Sequence, residues 1–197
     1  MAKLYYYYSA MNAGKTTTLL QSNHNYQECG MRTLLLSPNI DTRAKPGLIR
    51  SRIGLEKQGV VFTKSDNLFL LAQSQASTNC VLIDEAQFMT KQQVSQTTQI
   101  VDQLKIPVLA YGIRTDFLGM LFEGSQYLLA WADEIVEIKT ICSCGSKATM
   151  NLRIDSQGNP IKSGQQIHIG ANESYHSKCR KCFREALRNQ YSDMTTA

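Results

Sequence analysis

Five short apolar runs punctuate the chain: Leu4–Tyr8, Thr33–Leu36, Cys80–Ile83, Val108–Tyr111 and a weaker one at Glu134–Ile138. Apolar runs of this length, without alternating polar residues, suit strands covered on both faces, as in a parallel sheet. Between them lie stretches of helical character near Thr17–Glu28, Asn67–Gln75 and Lys91–Leu104. Strands alternating with helices predict an α/β domain with a mostly parallel sheet and helices on both faces. The stretch Pro38–Gly59 carries Pro38, Pro46, Gly47, Gly54 and Gly59 and reads as a long mobile loop, and Gly112–Gly124 reads as a second irregular stretch.

The pattern changes at Ile141. Cysteines cluster beyond it, and Asp155-Ser156-Gln157-Gly158-Asn159-Pro160 is a dense turn signal. The expected division is a nucleotide-binding α/β domain over residues 1–140, a small cysteine-bearing module over 141–191 and a disordered tail over 192–197. No internal repeat is visible.

Composition adds bounds. The chain has 197 residues, 43% of them hydrophobic, enough for one good core. No apolar run approaches the ~18 residues of a membrane helix, and the N-terminus shows no signal segment, so a cytoplasmic protein without a membrane partner is expected. The net charge of +5 suits an anionic substrate such as a nucleotide. No Lys/Arg tract stands out, so neither a concentrated basic face nor a nucleic-acid partner is expected.

The candidate chemistry begins at Ser9-Ala10-Met11-Asn12-Ala13-Gly14-Lys15-Thr16, between the first apolar run and the first helix. Strand, tight loop and helix form the context of a phosphate-binding loop, whose backbone N–H groups converge on phosphate. Lys15 supplies charge for the β- and γ-phosphates, and the Thr16 hydroxyl can ligate Mg²⁺. The pattern G-x-x-x-x-G-K-[ST] has Gly at its first position, where this chain has Ser9. A second signature, Cys80-Val81-Leu82-Ile83-Asp84-Glu85, ends a strand in two acids at the sheet edge where ligands of open α/β sheets bind. Asp84 suits Mg²⁺, and Glu85 is placed to take a proton from an attacking hydroxyl.

Six cysteines without a secretion signal argue for metal or free thiols rather than disulfides. Cys142-x-Cys144 and Cys179-x-x-Cys182 can surround one Zn²⁺ tetrahedrally, and four thiolates make a closed, structural site. His176 is a conceivable substitute in a set already complete. Cys29, Cys80, His24 and His168 read as structural or solvated.

Together these motifs resemble the zinc-containing thymidine kinase family of bacteria, animal cytosol and some viruses, over roughly Lys3–Leu187. Also carrying the resemblance are Asp41-Thr42-Arg43, Asp84-Glu85-Ala86-Gln87-Phe88, Tyr111-Gly112-Ile113-Arg114-Thr115-Asp116-Phe117 and Ile169-Gly170-Ala171-Asn172-Glu173-Ser174-Tyr175-His176. The loop with Ser9 is similar to enterobacterial members. The resemblance implies a P-loop, RecA-like domain, a zinc-ribbon-like module with a lasso loop, and transfer of the ATP γ-phosphoryl group to thymidine, with deoxyuridine a second acceptor. It makes Glu85 the general base and puts Asp84 with Thr16 on Mg²⁺. It places Asp41, Arg43, Ala86 and Gln87 with the loop at the nucleotide, and Met11, Phe88, Ile113, Phe117, Phe122, Ile169, Gly170 and Tyr175 at the thymidine pocket. Asn151 falls where the family often has Thr near the thymine methyl. A homotetramer inhibited by dTTP, serving deoxynucleoside salvage for DNA synthesis, is implied as well. Three rivals stay open on the residues alone: a nucleic-acid-dependent ATPase, a zinc-stabilised nucleotide sensor without turnover, and a kinase for another small acceptor.

Overall fold

The computed structural model describes residues 1–39, 46–166 and 175–188. Its first half runs β1 (Leu4–Ser9), α1 (Lys15–Glu28), β2 (Arg32–Pro38), a hairpin of β3 (Leu48–Arg50) and β4 (Glu56–Gln58), then β5 (Val60–Phe62) and α2 (Leu68–Ser74). There follow β6 (Thr78–Ile83), a single 3₁₀ turn at Ala86–Phe88, α3 (Lys91–Gln99), β7 (Val108–Ile113), α4 (Glu123–Trp131) and β8 (Glu134–Glu137). Six of these strands form one sheet in the order β5-β2-β6-β7-β1-β8, and every neighbouring pair is parallel.

Side chains alternate across a strand, and here both sets are apolar. Leu4, Tyr6, Leu34, Leu36, Val81, Ile83, Val108 and Ala110 pack with Leu68 and Ala72 of α2, Val94 of α3 and Leu128 of α4. The intervening Leu35, Cys80, Leu82, Leu109 and Tyr111 pack with Leu19 and Leu20 of α1. Burial on both faces is why these strands read as continuous apolar runs. Each fully buried Leu or Ile contributes about 1.5–3 kcal/mol. The face under α1 is the less covered one. Tyr7 stacks on Tyr111 at 4.7 Å between ring centroids, and Tyr5, Tyr7, Tyr26 and Leu109 line a shallow cavity of about 530 Å³.

The expected mobile loop over Pro38–Gly59 needs correction: its second half is the ordered β3–β4 hairpin. Gly47, at φ 77°, lies so close to Gly59 that an added Cβ would meet the Gly59 carbonyl oxygen at 2.6 Å. The expected helix Lys91–Leu104 is two pieces. The α-helix, opened by a Thr90/Gln93 capping box, passes at Ile100–Leu104 into one π turn ending on left-handed Lys105.

Gly124 seats α4 directly on the 3₁₀ turn. A Cβ there would lie 2.5 Å from the Ala86 oxygen and 2.9 Å from those of Gln87 and Met89. Three backbone carbonyls cannot swing aside as a side chain can. Gly124→Ala therefore destabilises the fold by about 1–3 kcal/mol, the usual cost of overpacking, read as a lowered Tm.

Beyond β8 the chain builds small antiparallel pairs. β9 (Thr140–Ile141) pairs with β10 (Lys147–Ala148), and β11 (Met150–Arg153) pairs with β12 (Tyr175–Lys178), followed by α5 (Arg180–Arg188). The buried apolar cluster of this module is Cys142, Ala148 and Cys179, with Cys182 packed against it. Among the described residues no helix is long and apolar enough to cross a membrane. The tail over 192–197 lies outside the described residues.

Candidate active site at the carboxyl edge of the sheet

Because the sheet is parallel, the segments leaving the ends of β1, β6 and β7 meet at one edge. The loop after β1 turns into α1 through Asn12 and Gly14, both at positive φ (61° and 81°). Lys15 is the first residue of α1 and is buried; its Nζ donates to Ser9 Oγ at 3.1 Å and to the Ala10 carbonyl at 3.0 Å. Burial pushes its pKa down, opposed by the charges of Glu85 and Asp84. Thr16 Oγ1 donates toward both oxygens of Asp84, at 3.3 and 3.4 Å. Burial, then the neighbouring Glu85, raises the Asp84 carboxyl well above the ordinary carboxylate range. A buried acid beside a second acid and a hydroxyl is a donor set suited to a divalent cation with oxygen ligands, and Thr16 and Asp84 could hold Mg²⁺.

Glu85 is one of the non-glycine residues in the left-handed region, at φ 48° and ψ 41°. Such backbone costs of order 1–3 kcal/mol and persists where the surroundings enforce it. They do so here through Gln87. Its Nε2 donates to Glu85 Oε2 at 2.5 Å, and its Oε1 accepts the Ile113 N–H at 3.1 Å. Gln87 is buried against Gly112, where a Cβ would come within 2.8 Å of Gln87 Oε1. The glycine of the Tyr111-Gly112-Ile113 run thus admits the side chain that fixes the Glu85 carboxylate.

The expected pocket residues fall into two groups. Phe88 meets Phe122 edge-on at 5.6 Å. The Arg153 guanidinium lies over the Phe117 ring at 5.2 Å and the Tyr175 ring at 5.9 Å. Ile113, Phe117 and Phe122 are buried, whereas Met11, Phe88 and Tyr175 keep partial exposure. Asp41, Arg43, Ile169, Gly170 and His168 lie outside the described residues.

Asn151 does more than occupy a position near the base. It is buried; its Oδ1 accepts the Met11 N–H at 2.7 Å, and its Nδ2 donates to the Thr115 carbonyl at 2.8 Å. Ser177, its partner across the β11–β12 pair, donates to the Met11 carbonyl. The β11–β12 pair thereby clasps both backbone polar groups of Met11 in the loop after β1. Sequence reasoning placed Asn151 but missed this bond, and it missed Ser177 and Arg153 altogether. The only signal was one polar residue within the otherwise apolar Met150–Leu152. Near this clasp, Thr115 Oγ1 and Arg153 Nε are buried without a hydrogen-bond partner among the described residues. Asn151→Ala leaves the Met11 N–H and Thr115 carbonyl unpaired, at about 1–3 kcal/mol. A lowered Tm and a raised KM are the expected results; wild-type values for both would show that the clasp carries no weight.

The four cysteines converge. Cys142 and Cys144 sit in the β9–β10 turn, Cys179 and Cys182 at the start of α5, and all four sulfurs lie within 4.8 Å of one another. The Cys144 and Cys179 sulfurs are 3.7 Å apart. Tetrahedral zinc at about 2.3 Å from each sulfur requires about 3.8 Å between sulfurs. The thiols already share protons unequally: backbone N–H groups of Cys144 and Cys179 bring Cys142 down to about 6, while hydrogen bonds to Cys179 and Cys144 push Cys182 up to about 12. The cluster could hold a metal ion such as zinc.

Comparison with known proteins agrees with this geometry. A family model described as thymidine kinase matches residues 2–183. A thymidine kinase of Legionella pneumophila (strain Lens) is 62% identical over 184 residues, covering 91% of this chain and 88% of that protein. One from Rhodopirellula baltica is 57% identical over 98% of this chain and 93% of its own length. One from Xanthomonas oryzae pv. oryzae is 56% identical over 96% and 93%.

Proposed function

Because the chain belongs to the thymidine kinase family, we propose that it transfers the γ-phosphoryl group of ATP to the 5′-hydroxyl of thymidine, giving dTMP and ADP. The observation that carries the reading is the meeting of Lys15, Thr16, Asp84 and Glu85 at one sheet edge. The loop from Ser9 to Thr16 binds the phosphates through its backbone N–H groups. Lys15 exchanges its present loop acceptors for phosphate oxygens, and its partial desolvation raises the value of that contact. Thr16 and Asp84 would hold Mg²⁺, which would supply neutralising charge for the phosphates. Glu85, held by Gln87, accepts the proton of the 5′-hydroxyl as the oxygen attacks phosphorus. Asp41 and Arg43 are assigned to the same phosphates by their place in the family motif.

Met11, Phe88, Ile113, Phe117, Phe122 and Tyr175 enclose the nucleoside in this reading. A lasso over residues 164–176, which includes Ile169 and Gly170, closes on the base. Backbone groups then read the polar edge of a pyrimidine, and a purine leaves them unpaired. Cys142, Cys144, Cys179 and Cys182 would hold zinc at the foot of the lasso, where it would act as a structural clamp outside the chemistry. The half-covered tyrosine face beneath α1 supports assembly into a homotetramer. A cytoplasmic salvage role, inhibition by dTTP and use of deoxyuridine complete the proposal.

A panel of nucleosides with Mg²⁺-ATP, scored for monophosphate, tests it. Thymidine and deoxyuridine are the expected acceptors and deoxyguanosine is rejected. Efficient deoxyguanosine phosphorylation, or ATP binding without product from any nucleoside, overturns it.

A further inference from the structure

The absence of a basic tract in the sequence does not carry over to the surface. Arg114, Lys147, Arg180, Lys181, Arg184 and Arg188 line one groove of about 740 Å³ between the end of β7, the β9–β10 pair and α5. Arg180, Arg184 and Arg188 follow at i, i+4 and i+8, so they share one face of α5, about 6 Å apart at 1.5 Å per residue. All three are exposed, and none has an acidic partner among the described residues. The acid in the groove, Glu185, is already committed to Lys181 at 3.9 Å, and Lys147 to Glu137 at 2.6 Å. Ser146 and Thr149 add hydroxyl donors to the wall.

A row of guanidinium groups holding no carboxylate, in a concave setting, concentrates positive potential. Arginine forks suit phosphate in particular. One phosphate would occupy one or two of them; a linear row about 12 Å long suits several phosphates in series. The groove has the size of a small-ligand site rather than of a nucleic-acid interface. No aromatic residue is among those lining it, so single-stranded bases have nothing on which to stack. We propose that this groove binds an oligophosphate chain of three or more phosphates, free or carried by a nucleotide, at a site separate from the phosphate loop.

The test is calorimetric titration with inorganic tripolyphosphate and with Mg²⁺-free ATP. It uses a Lys15→Met chain, in which the phosphate loop is disabled. One tripolyphosphate per chain is expected to remain, and Arg184→Glu with Arg188→Glu should weaken it at least ten-fold. The same pair of changes in the otherwise wild-type chain leaves kcat, zinc content and Tm unchanged, which separates this site from the catalytic one; should charge reversal lower Tm, Arg184→Gln with Arg188→Gln serves instead. ATP binding as tightly as tripolyphosphate means the tail suffices whatever carries it, and tripolyphosphate binding more tightly identifies the free chain; both support the site. Loss of all binding in the Lys15→Met chain, or indifference to the arginine changes, overturns it. So does tighter binding of a 20-base-pair DNA duplex that the arginine changes abolish, which would make the groove a nucleic-acid surface.

Discussion

Replacing Glu85 with glutamine lowers kcat by about 10²–10⁴-fold, the range a positioned general base supplies, while the KM for ATP stays near its wild-type value. Glutamine keeps the shape of the side chain but cannot accept the proton. The backbone at Glu85 is left-handed and anchored by Gln87, which in turn is tied to the Ile113 N–H. The amide substitute therefore remains in place, and the effect isolates proton transfer from position. Steady-state kinetics on purified Glu85→Gln decide the matter. Near-full kcat would remove Glu85 from that role, and a large rise in the KM for ATP would make it a binding residue instead.

Loss of the metal has a larger effect on structure. A structural zinc would contribute about 10–16 kcal/mol of apparent binding energy, and the module has little apolar core beside it: Ala148, Leu152 and Phe183 with two short strand pairs. Metal analysis of protein purified without chelator should find one zinc per chain. Cys182→Ser should lower that content, melt the module and abolish activity. Since ligands must be deprotonated, zinc is retained at neutral pH and released as acid reprotonates the thiolates. Protein free of zinc, or a Cys182→Ser chain with unchanged zinc content and melting, would defeat the assignment. The loss of activity is indirect, because Asn151 and Ser177 leave the phosphate loop when β11 and β12 melt.

The parts legible in the sequence are those where local pattern and tertiary environment agree. Leu34–Leu36 and Val81–Ile83 are apolar at every position because both sheet faces are covered. Gly14-Lys15-Thr16 and Asp84-Glu85 carry their chemistry within a few residues. What escaped lacks local contrast. Glu56–Gln58 of β4 is wholly exposed and polar. The α5 helix is nine residues long and buries Phe183 alone; its short apolar stripe, Cys182, Phe183, Ala186 and Leu187, overlaps the second cysteine pair and reads only as metal chemistry. α4 begins after Phe122, which makes no side-chain cap bond, and has Gly124 as its second residue, where propensity argues against a helix. The grip on Met11 is assembled from residues far apart in the chain, and Arg114 and Lys147 join the basic row of Arg180–Arg188 only in the fold.

The grip on Met11 also orders events in time. Met11 leaves the ribosome well before its two side-chain partners, which follow 140 and 166 residues later. At about 5–20 residues per second, the interval to Ser177 is roughly eight to thirty seconds. Throughout it the loop after β1 lacks these two bonds. An interrupted translation product that ends before β12 would retain all six strands of the main sheet and still lack the Ser177 bond to the loop.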